Sequence, residues 1–287
     1  MASSAVAMQS SQFTKSICSI IFPKEMPIAE CFKRAKAAGF DAMELSIGRD
    51  LQLDISRDEA KRLADSAQSA GIKIATLWVA EALHKNPLNA DDPAVRARGV
   101  DAIRTAVRIA SDVNCDALLL YAVRLGMGAK FQYGSQETWD RFTSELRKVV
   151  PDAEQAKVCL DPENVWNKFL LSPLEMRSFV DQFHSPWVRT HFDVGNVMQY
   201  GYPEDWILTL GPRIKRVHFK DYKLAKGGGQ GGFVDLLEGD VNWKNVMDAL
   251  VKIRYKGFIS PEIDHDPNKP DQLKEVSTAL DKILSMA

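Results

Sequence analysis

The sequence lacks the features that mark a membrane, secreted or nucleic-acid-binding protein. No stretch reaches the roughly 18 consecutive apolar residues that a membrane span needs. Residues 1–14 are rich in Ser and Ala but contain no basic segment followed by an apolar one, so no signal peptide is predicted. The formal net charge of −1 indicates no nucleic-acid partner, because such proteins normally carry a basic surface. We therefore expect a cytoplasmic protein without membrane or nucleic-acid partners, in which residues 1–14 form a disordered leader.

Cysteine and histidine are also scarce. The four cysteines show no CxxC spacing, which predicts small buried side chains in a reducing compartment. Of the five histidines, His191 is expected to be a core residue whose hydrogen bonds are satisfied. No glycine-rich dinucleotide fingerprint follows the first apolar run, and this argues against a doubly wound open sheet.

Short apolar runs alternate with segments of helical spacing eight times along the chain. Several junctions have the same form, a helix end, a Gly and then an apolar run, because Gly permits the left-handed turn that ends a helix. The predicted strands are residues 15–22, 40–47, 72–79, 115–123, 157–163, 188–193, 214–220 and 257–263. Strands separated by helices pair in parallel, and eight such units fit one (β/α)8 TIM barrel over residues 15–287.

Four acidic or imidazole groups stand at the ends of predicted strands five to eight: Glu163, Asp193, His218 and Glu262. In a barrel the C-terminal strand ends meet at the face that carries the active site. Buried charges there need a partner or a metal. Three carboxylates and one imidazole suit Mn²⁺, Mg²⁺ or Co²⁺ better than a thiolate-lined zinc site does. The alternative is four unrelated ion pairs at four strand ends.

Five pieces of the second half resemble the sugar-phosphate isomerase/epimerase superfamily, the xylose isomerase-like barrels that also include endonuclease IV. The pieces are Glu163-Asn-Val-Trp166, Asp193-Val-Gly-Asn196, His218-Phe-Lys-Asp221, residues 232–243 and Pro261-Glu262. Within the superfamily the sequence is most similar to the ketose 3-epimerases of the L-ribulose-5-phosphate (L-xylulose-5-phosphate) 3-epimerase type.

The resemblance implies a metal-dependent isomerase acting on a sugar or sugar phosphate. Glu163, Asp193, His218 and Glu262 would bind one divalent cation, Mn²⁺ ahead of Mg²⁺ or Co²⁺. Glu163 and Glu262 would form the acid/base pair of a ketose 3-epimerase that works through a cis-enediolate. A homo-oligomer, dimer or tetramer, is also expected.

Five further residues are predicted to contact the substrate: Asn196, Lys220, Trp166, Trp78 and Glu44. Lys220 shares a strand face with His218 and can reach a hydroxyl or phosphate oxygen. Trp78 and Trp166 would form an apolar wall against the sugar, with core packing as the alternative for Trp78. Asn196 stands where epimerases of free sugars usually carry His, so the sequence does not decide between a free sugar and a sugar phosphate as substrate. The glycine-rich residues 223–232 are interpreted as a mobile lid or solvated loop, with a phosphate cradle as the alternative.

Other functions use the same residues. An aldose-ketose isomerase or a superfamily lyase would need the same metal and carboxylates. An endonuclease IV-like phosphodiesterase would need three metals, more histidines and a basic groove, which the composition does not favour. A non-catalytic sugar-binding barrel would keep the inward carboxylates without a metal.

Overall fold

The predicted barrel is confirmed. The structure is a computed structural model that describes residues 13–121, 123, 125–127 and 130–287. Its main sheet has eight parallel strands: β1 Phe13–Cys18, β2 Ala42–Ser46, β3 Lys73–Trp78, β4 Ala117–Leu120, β5 Cys159–Pro162, β6 Thr190–Asp193, β7 Ile214–Phe219 and β8 Gly257–Pro261. Their order in the sheet is β5-β4-β3-β2-β1-β8-β7-β6. The bridges Leu160–Val188 and Glu163–His191 join the two outer strands and close the barrel.

Helices cover the outside of the sheet. Those in the described part of the chain are α1 Ile28–Ala37, α2 Arg57–Ser69, α3 Ala80–Lys85, α4 Pro93–Asp112, α5 Ser135–Arg147, α6 Val150–Ala156, α7 Pro173–Asp181, α8 Pro203–Leu210, α9 Trp243–Lys252 and α10 Gln272–Leu284. Capping boxes at Ser56 and Ser172 fix where α2 and α7 begin, since each hydroxyl accepts a hydrogen bond from the backbone N–H three residues later. No helix in these described stretches is long and apolar enough to cross a membrane.

The strand boundaries differ from the predictions by a few residues. β1 begins at Phe13, where it pairs with Gly257, so the barrel starts two residues before the expected position 15. The rest of the expected leader, residues 1–12, lies outside the described residues. β1 ends at Cys18, where the prediction continued to residue 22, because the chain turns into a short 3₁₀ helix at Ser19–Ile21.

Apolar side chains fill the layer between strands and helices. Phe192 of β6 stacks on Trp206 of α8 at 6.1 Å between ring centroids, and Phe219 of β7 packs on Trp243 of α9 at 4.7 Å. Burying each such ring stabilises the fold by about 1.5–3 kcal/mol. In each strand of the barrel, alternate residues point to the barrel axis. Several of these inward residues are polar and almost fully buried: Glu44, Thr76, Asp161, His191, His218 and Ser260.

The chain after β7 forms a two-stranded antiparallel ribbon of Asp221–Lys223 with Gly232–Val234. The two ends of the glycine-rich segment 223–232 are therefore paired, Lys223 opposite Gly232. Buried Asp221 holds the segment that follows, since its carboxylate accepts hydrogen bonds from the backbone N–H of Tyr222, Leu237 and Val241 and from the indole N–H of Trp243. These bonds fix the loop between β7 and α9 above the barrel.

The substitution Asp221→Ala should lower the free energy of unfolding by about 3 kcal/mol, because it leaves several buried donors without an acceptor. Urea unfolding followed by circular dichroism measures the change. Asp248→Ala is the matched control, because Asp248 is an exposed residue of α9 that forms an ion pair with Lys244 one helical turn away, and it should cost less than about 1 kcal/mol. Equal stability of the two variants would contradict the role assigned to Asp221.

Candidate metal centre

The four residues at the ends of β5 to β8 meet at one point. The Nδ1 atom of His218 lies 2.8 Å from Glu262 Oε2, 3.3 Å from Glu163 Oε1 and 3.8 Å from Asp193 Oδ2. One donor atom from each of the four side chains lies within 4.8 Å of the others. The structure therefore brings together the residues that the sequence placed at four separate strand ends.

Local hydrogen bonds aim Asp193 at this point. The side-chain amide of Asn164 pairs with the backbone of Asp193, donating to its carbonyl and accepting from its N–H, each at 2.8 Å. The backbone N–H of Asn196 then donates to Asp193 Oδ1 at 2.7 Å. Because Oδ1 is held by the turn, Oδ2 is left to face His218.

Glu44 lies on the other side of the His218 ring. Its Oε2 is 3.2 Å from Nε2 of His218 and accepts a hydrogen bond from the indole of Trp78 at 2.7 Å. Its Oε1 accepts from the Ser260 hydroxyl at 2.5 Å. Glu44 is 1% exposed. These contacts favour a role in orienting His218 over the predicted contact with substrate, since metal-binding imidazoles usually donate their second N–H to a carboxylate.

Burial and neighbouring charges shift the pKa values of Glu163 and Glu262 in opposite directions. Burial raises the pKa of Glu163 to about 7. Burial also acts to raise the pKa of Glu262, but the charges of Lys220 and His218 outweigh it and lower that pKa to about 2. With protein groups alone, Glu262 is therefore ionised at neutral pH while Glu163 is partly protonated. Paired carboxyl groups with separated pKa values are typical of acid/base sites.

Lys220 neutralises part of the negative charge. Its ammonium group is 2.7 Å from Glu262 Oε2 and 3.2 Å from Asp193 Oδ2. It also lies 5.3 Å from the ring centroid of Phe233. Although burial opposes the charge, Asp193 and Glu262 raise the pKa of Lys220 above its usual value, so the group stays cationic.

The donor set fits a divalent cation. Asp193 Oδ2 and Glu262 Oε2 are buried without a hydrogen bond of good geometry, although Lys220 is close to both. Three carboxylate oxygens and one imidazole nitrogen are the ligands that Mn²⁺ and similar ions accept. A second group, Cys18, Glu44 and His218, shares the same imidazole. Burial raises the pKa of the Cys18 thiol far above its usual value, and a thiol ligand suits softer ions than the oxygen-rich set does.

The remaining predicted residues surround the four donors in different ways. Trp166 is 41% exposed, stacks on Phe233 at 5.0 Å and donates from its indole to the carbonyl of Asn196 at 2.8 Å. Trp78 is half-buried, with its ring 5.4 Å from that of His218. The Asn196 side chain is buried and donates to the carbonyl of Asn164 at 2.9 Å. Asn196 thus supports the turn at Asp193, and its contact with substrate stays a prediction.

His191 meets one half of the expectation. Its core position is confirmed, since it is fully buried, but neither ring nitrogen has a hydrogen-bond partner among the residues that the structure describes. Its Nε2 is 3.9 Å from Glu44 Oε1, and its ring lies 3.9 Å from that of His218. Burial and the neighbouring His218 lower the pKa of His191 well below its usual value, so the ring is neutral.

Sequence reasoning did not identify Asn164 and Phe233 as parts of the site. Asn164 directly follows Glu163, and an Asn immediately after a strand end is a signal for a side chain that bonds nearby backbone. Phe233 had no such signal. It reaches the site because the ribbon folds residues 232–234 back over Lys220.

Comparison with known proteins agrees with the barrel fold. Residues 32–283 match a family model described as "Xylose isomerase-like TIM barrel". The chain is 29% identical over 248 residues to L-ribulose-5-phosphate 3-epimerase UlaE of Escherichia coli O1:K1 / APEC, which covers 83% of this chain and 84% of that protein. The protein of the same name from Salmonella dublin is 28% identical with the same coverage.

Solved structures share the fold at lower identity. A D-psicose 3-epimerase crystallised in the presence of D-fructose superposes with a TM-score of 0.78 at 16% identity, covering 94% of this chain and 97% of that one. The 3-keto-D-glucoside 4-epimerase YcjR from E. coli gives a TM-score of 0.73 at 12% identity, covering 94% and 98%. At these identities the likeness supports the fold alone.

Gly195 allows the turn after Asp193 to approach β7. A Cβ atom at this position would lie 2.6 Å from Lys220 Cβ and 2.9 Å from the Lys220 carbonyl oxygen. The substitution Gly195→Ala should therefore lower the free energy of unfolding by about 1–3 kcal/mol. Gly232→Ala, whose added methyl would meet nothing within 4 Å, is the control. If chemical denaturation finds both variants as stable as the unmodified protein, the close approach at Gly195 is not a constraint.

Proposed function

The chain belongs to the xylose isomerase-like TIM barrel family, and on that premise we propose that it is a divalent-metal-dependent ketose 3-epimerase. The observation that carries the proposal is the meeting of two carboxyl groups beside one imidazole, with Glu163 at 3.3 Å and Glu262 at 2.8 Å from His218 Nδ1. In the metal-free protein their pKa values are shifted in opposite directions. The names of the relatives at 28–29% identity, L-ribulose-5-phosphate 3-epimerases, support the same reaction.

Epimerisation at C3 of a 2-ketose needs a base on one face of the carbon and an acid on the other. Ionised Glu262 takes the C3 proton, and the electron pair moves into the C2 carbonyl to give a cis-enediolate. Protonated Glu163 then returns a proton to the opposite face of C3, which inverts the centre. The reverse reaction exchanges the two roles. Acid/base groups of this kind typically contribute about 10² to 10⁴-fold each.

Glu163, Asp193, His218 and Glu262 are the residues that would hold the cation, with Mn²⁺ preferred over Mg²⁺ or Co²⁺. When bound, a divalent ion supplies Lewis-acid stabilisation of the negative charge that develops on the substrate oxygens. Glu44 keeps the His218 ring oriented through Nε2. The homo-oligomer expected from the family resemblance stays a prediction.

The substrate side is built from Lys220 and the stacked rings of Trp166 and Phe233. Lys220 is close to Asp193 and Glu262 and has one further N–H that can donate to a substrate hydroxyl. The aromatic pair offers an apolar surface to the carbon chain. An aldose-ketose isomerase would use the same carboxylates between C1 and C2. The position of the exchanged hydrogen separates the two reactions.

Incubation with Mn²⁺ and a panel of ketoses and ketose phosphates in D₂O should place deuterium at C3, which nuclear magnetic resonance detects. Glu163→Gln and Glu262→Gln should each lower the exchange rate at least about 10²-fold, because an amide neither takes nor gives the proton. Glu154→Gln, an exposed position on α6, is the matched control. Deuterium at C1 or C2 would indicate an isomerase instead. Near-normal exchange in either glutamine variant, with the fold intact by circular dichroism, would refute the two-carboxylate mechanism.

Addition of Mn²⁺ to protein that has been stripped of metal with EDTA should raise its melting temperature above that of the stripped protein. An ion at about 100 times its dissociation constant stabilises the native state by about 2.7 kcal/mol. For a chain of this size that corresponds to roughly 5–10 °C. Differential scanning fluorimetry measures the shift. An unchanged melting temperature would remove the support for a metal site.

Glu44→Gln should weaken Mn²⁺ binding by about 10–100-fold while leaving the four donors in place, since it removes the charge that orients His218. Isothermal titration calorimetry measures the affinity. Asp248→Asn on the surface of α9 is the control. An affinity equal to that of the unmodified protein would contradict the positioning role of Glu44.

A further inference from the structure

A cavity of about 530 Å³ opens beside the two site residues Lys220 and Glu262. Its wall comes from the ribbon after β7 and from the segment after β8. Five carboxylates line it, those of Asp235, Glu238, Glu262, Asp264 and Asp266. A substrate whose C3 lies beside Glu262 would extend one end into this cavity.

The two ammonium groups of the cavity are already paired. Lys220 lies between Asp193 and Glu262 at 3.2 and 2.7 Å. Lys269 forms an ion pair with Asp235. The carboxylates therefore outnumber the ammonium groups five to two. If Glu262 is set against Lys220 and the proposed cation, four carboxylates still face the single ammonium group of Lys269.

The negative charge of a phosphate ester would be repelled by the carboxylates that line this cavity. Such an ester carries about −1.5 to −2 charge at neutral pH and is usually bound by Arg, Lys or free backbone N–H groups. The lysine at the start of the glycine-rich segment, Lys223, is paired with Asp240 at 2.6 Å. A dianion placed among the five carboxylates would be repelled, and nearby paired lysines give it little compensation.

An uncharged polyol chain fits the same surface. Ionised carboxylates accept hydrogen bonds and sugar hydroxyls donate them. The Phe233 ring, 47% exposed at the edge of the cavity, offers an apolar surface to the C–H groups. Resting on the proposed 3-epimerase function, we propose that this cavity binds the uncharged, hydroxyl-bearing end of the substrate, so that the enzyme prefers a free ketose to its phosphate ester.

The test compares L-ribulose with L-ribulose 5-phosphate as substrates for C3 deuterium exchange in the Mn²⁺-loaded protein. The free sugar should show a kcat/KM at least about 10-fold higher at low ionic strength, since several like charges act on the ester. The ratio should shrink as salt is added, because exposed charges are screened. A kcat/KM that favours the phosphate ester would overturn the inference and leave the 3-epimerase function standing.

Charge-removing variants link the preference to this cavity. The double variant Glu238→Gln with Asp264→Asn should raise the relative kcat/KM of the phosphate ester several-fold. Asp65→Asn removes a charge from the second half of α2, which leads to the opposite end of the barrel, and should leave the ratio unchanged. A ratio that does not respond to the double variant would contradict the assignment of the cavity.

Calorimetric binding to the Glu163→Gln protein gives a readout that does not depend on turnover. L-ribulose should bind more tightly than its 5-phosphate at low salt. If neither sugar shows exchange at C3, the 3-epimerase proposal fails, while the order of the two affinities still decides the role of the cavity. Tighter binding of the phosphate ester would overturn it.

Discussion

The contacts between the His218 imidazole and four surrounding carboxylates hold the site together. The Nδ1 atom of His218 faces the carboxylates of Glu163, Asp193 and Glu262, and its Nε2 faces Glu44. One ring thereby connects the mouth of the barrel with its buried interior. Moving the ring would change the distance to every donor at once, so the sheet register between β6, β7 and β8 sets the geometry of the whole site.

Burying these ionisable side chains costs folding free energy unless each charge has a partner of opposite sign. Removing one member of a buried charged pair typically costs about 3–5 kcal/mol, because the partner is left buried and uncompensated. Here Glu44, Asp193 and His218 are each no more than 1% exposed. A divalent cation between the carboxylates would supply the missing positive charge. The excess of negative charge continues into the cavity after β8. Under the two proposals, metal binding and substrate selection would therefore depend on the same group of acidic side chains.

The barrel and the meeting of Glu163, Asp193, His218 and Glu262 at its mouth could be predicted from the sequence, because residues at the strand ends of a parallel barrel come together at one face. Their role as metal ligands stays a prediction. The alternation of side chains also places Ser260 and Lys220 on the correct faces. The pairing of Glu44 with His218 and Ser260 could not be predicted, since it depends on the register between strands distant in the chain. Phe233 was missed for a similar reason, because a ribbon formed by a glycine-rich segment brings it to the site. The core position of His191 was predicted correctly, but the hydrogen bonds that buried histidines usually make are not found for it among the described residues.

A crystal structure of the Mn²⁺-loaded protein, with anomalous diffraction data, tests the four-residue metal centre directly. We expect one anomalous peak per chain at about 2.0–2.4 Å from Glu163, Asp193, Glu262 and His218 Nδ1, the usual range for divalent cations with oxygen and nitrogen ligands. A peak elsewhere, additional peaks in the barrel mouth, or no peak with Mn²⁺ in excess would contradict the four-residue metal centre.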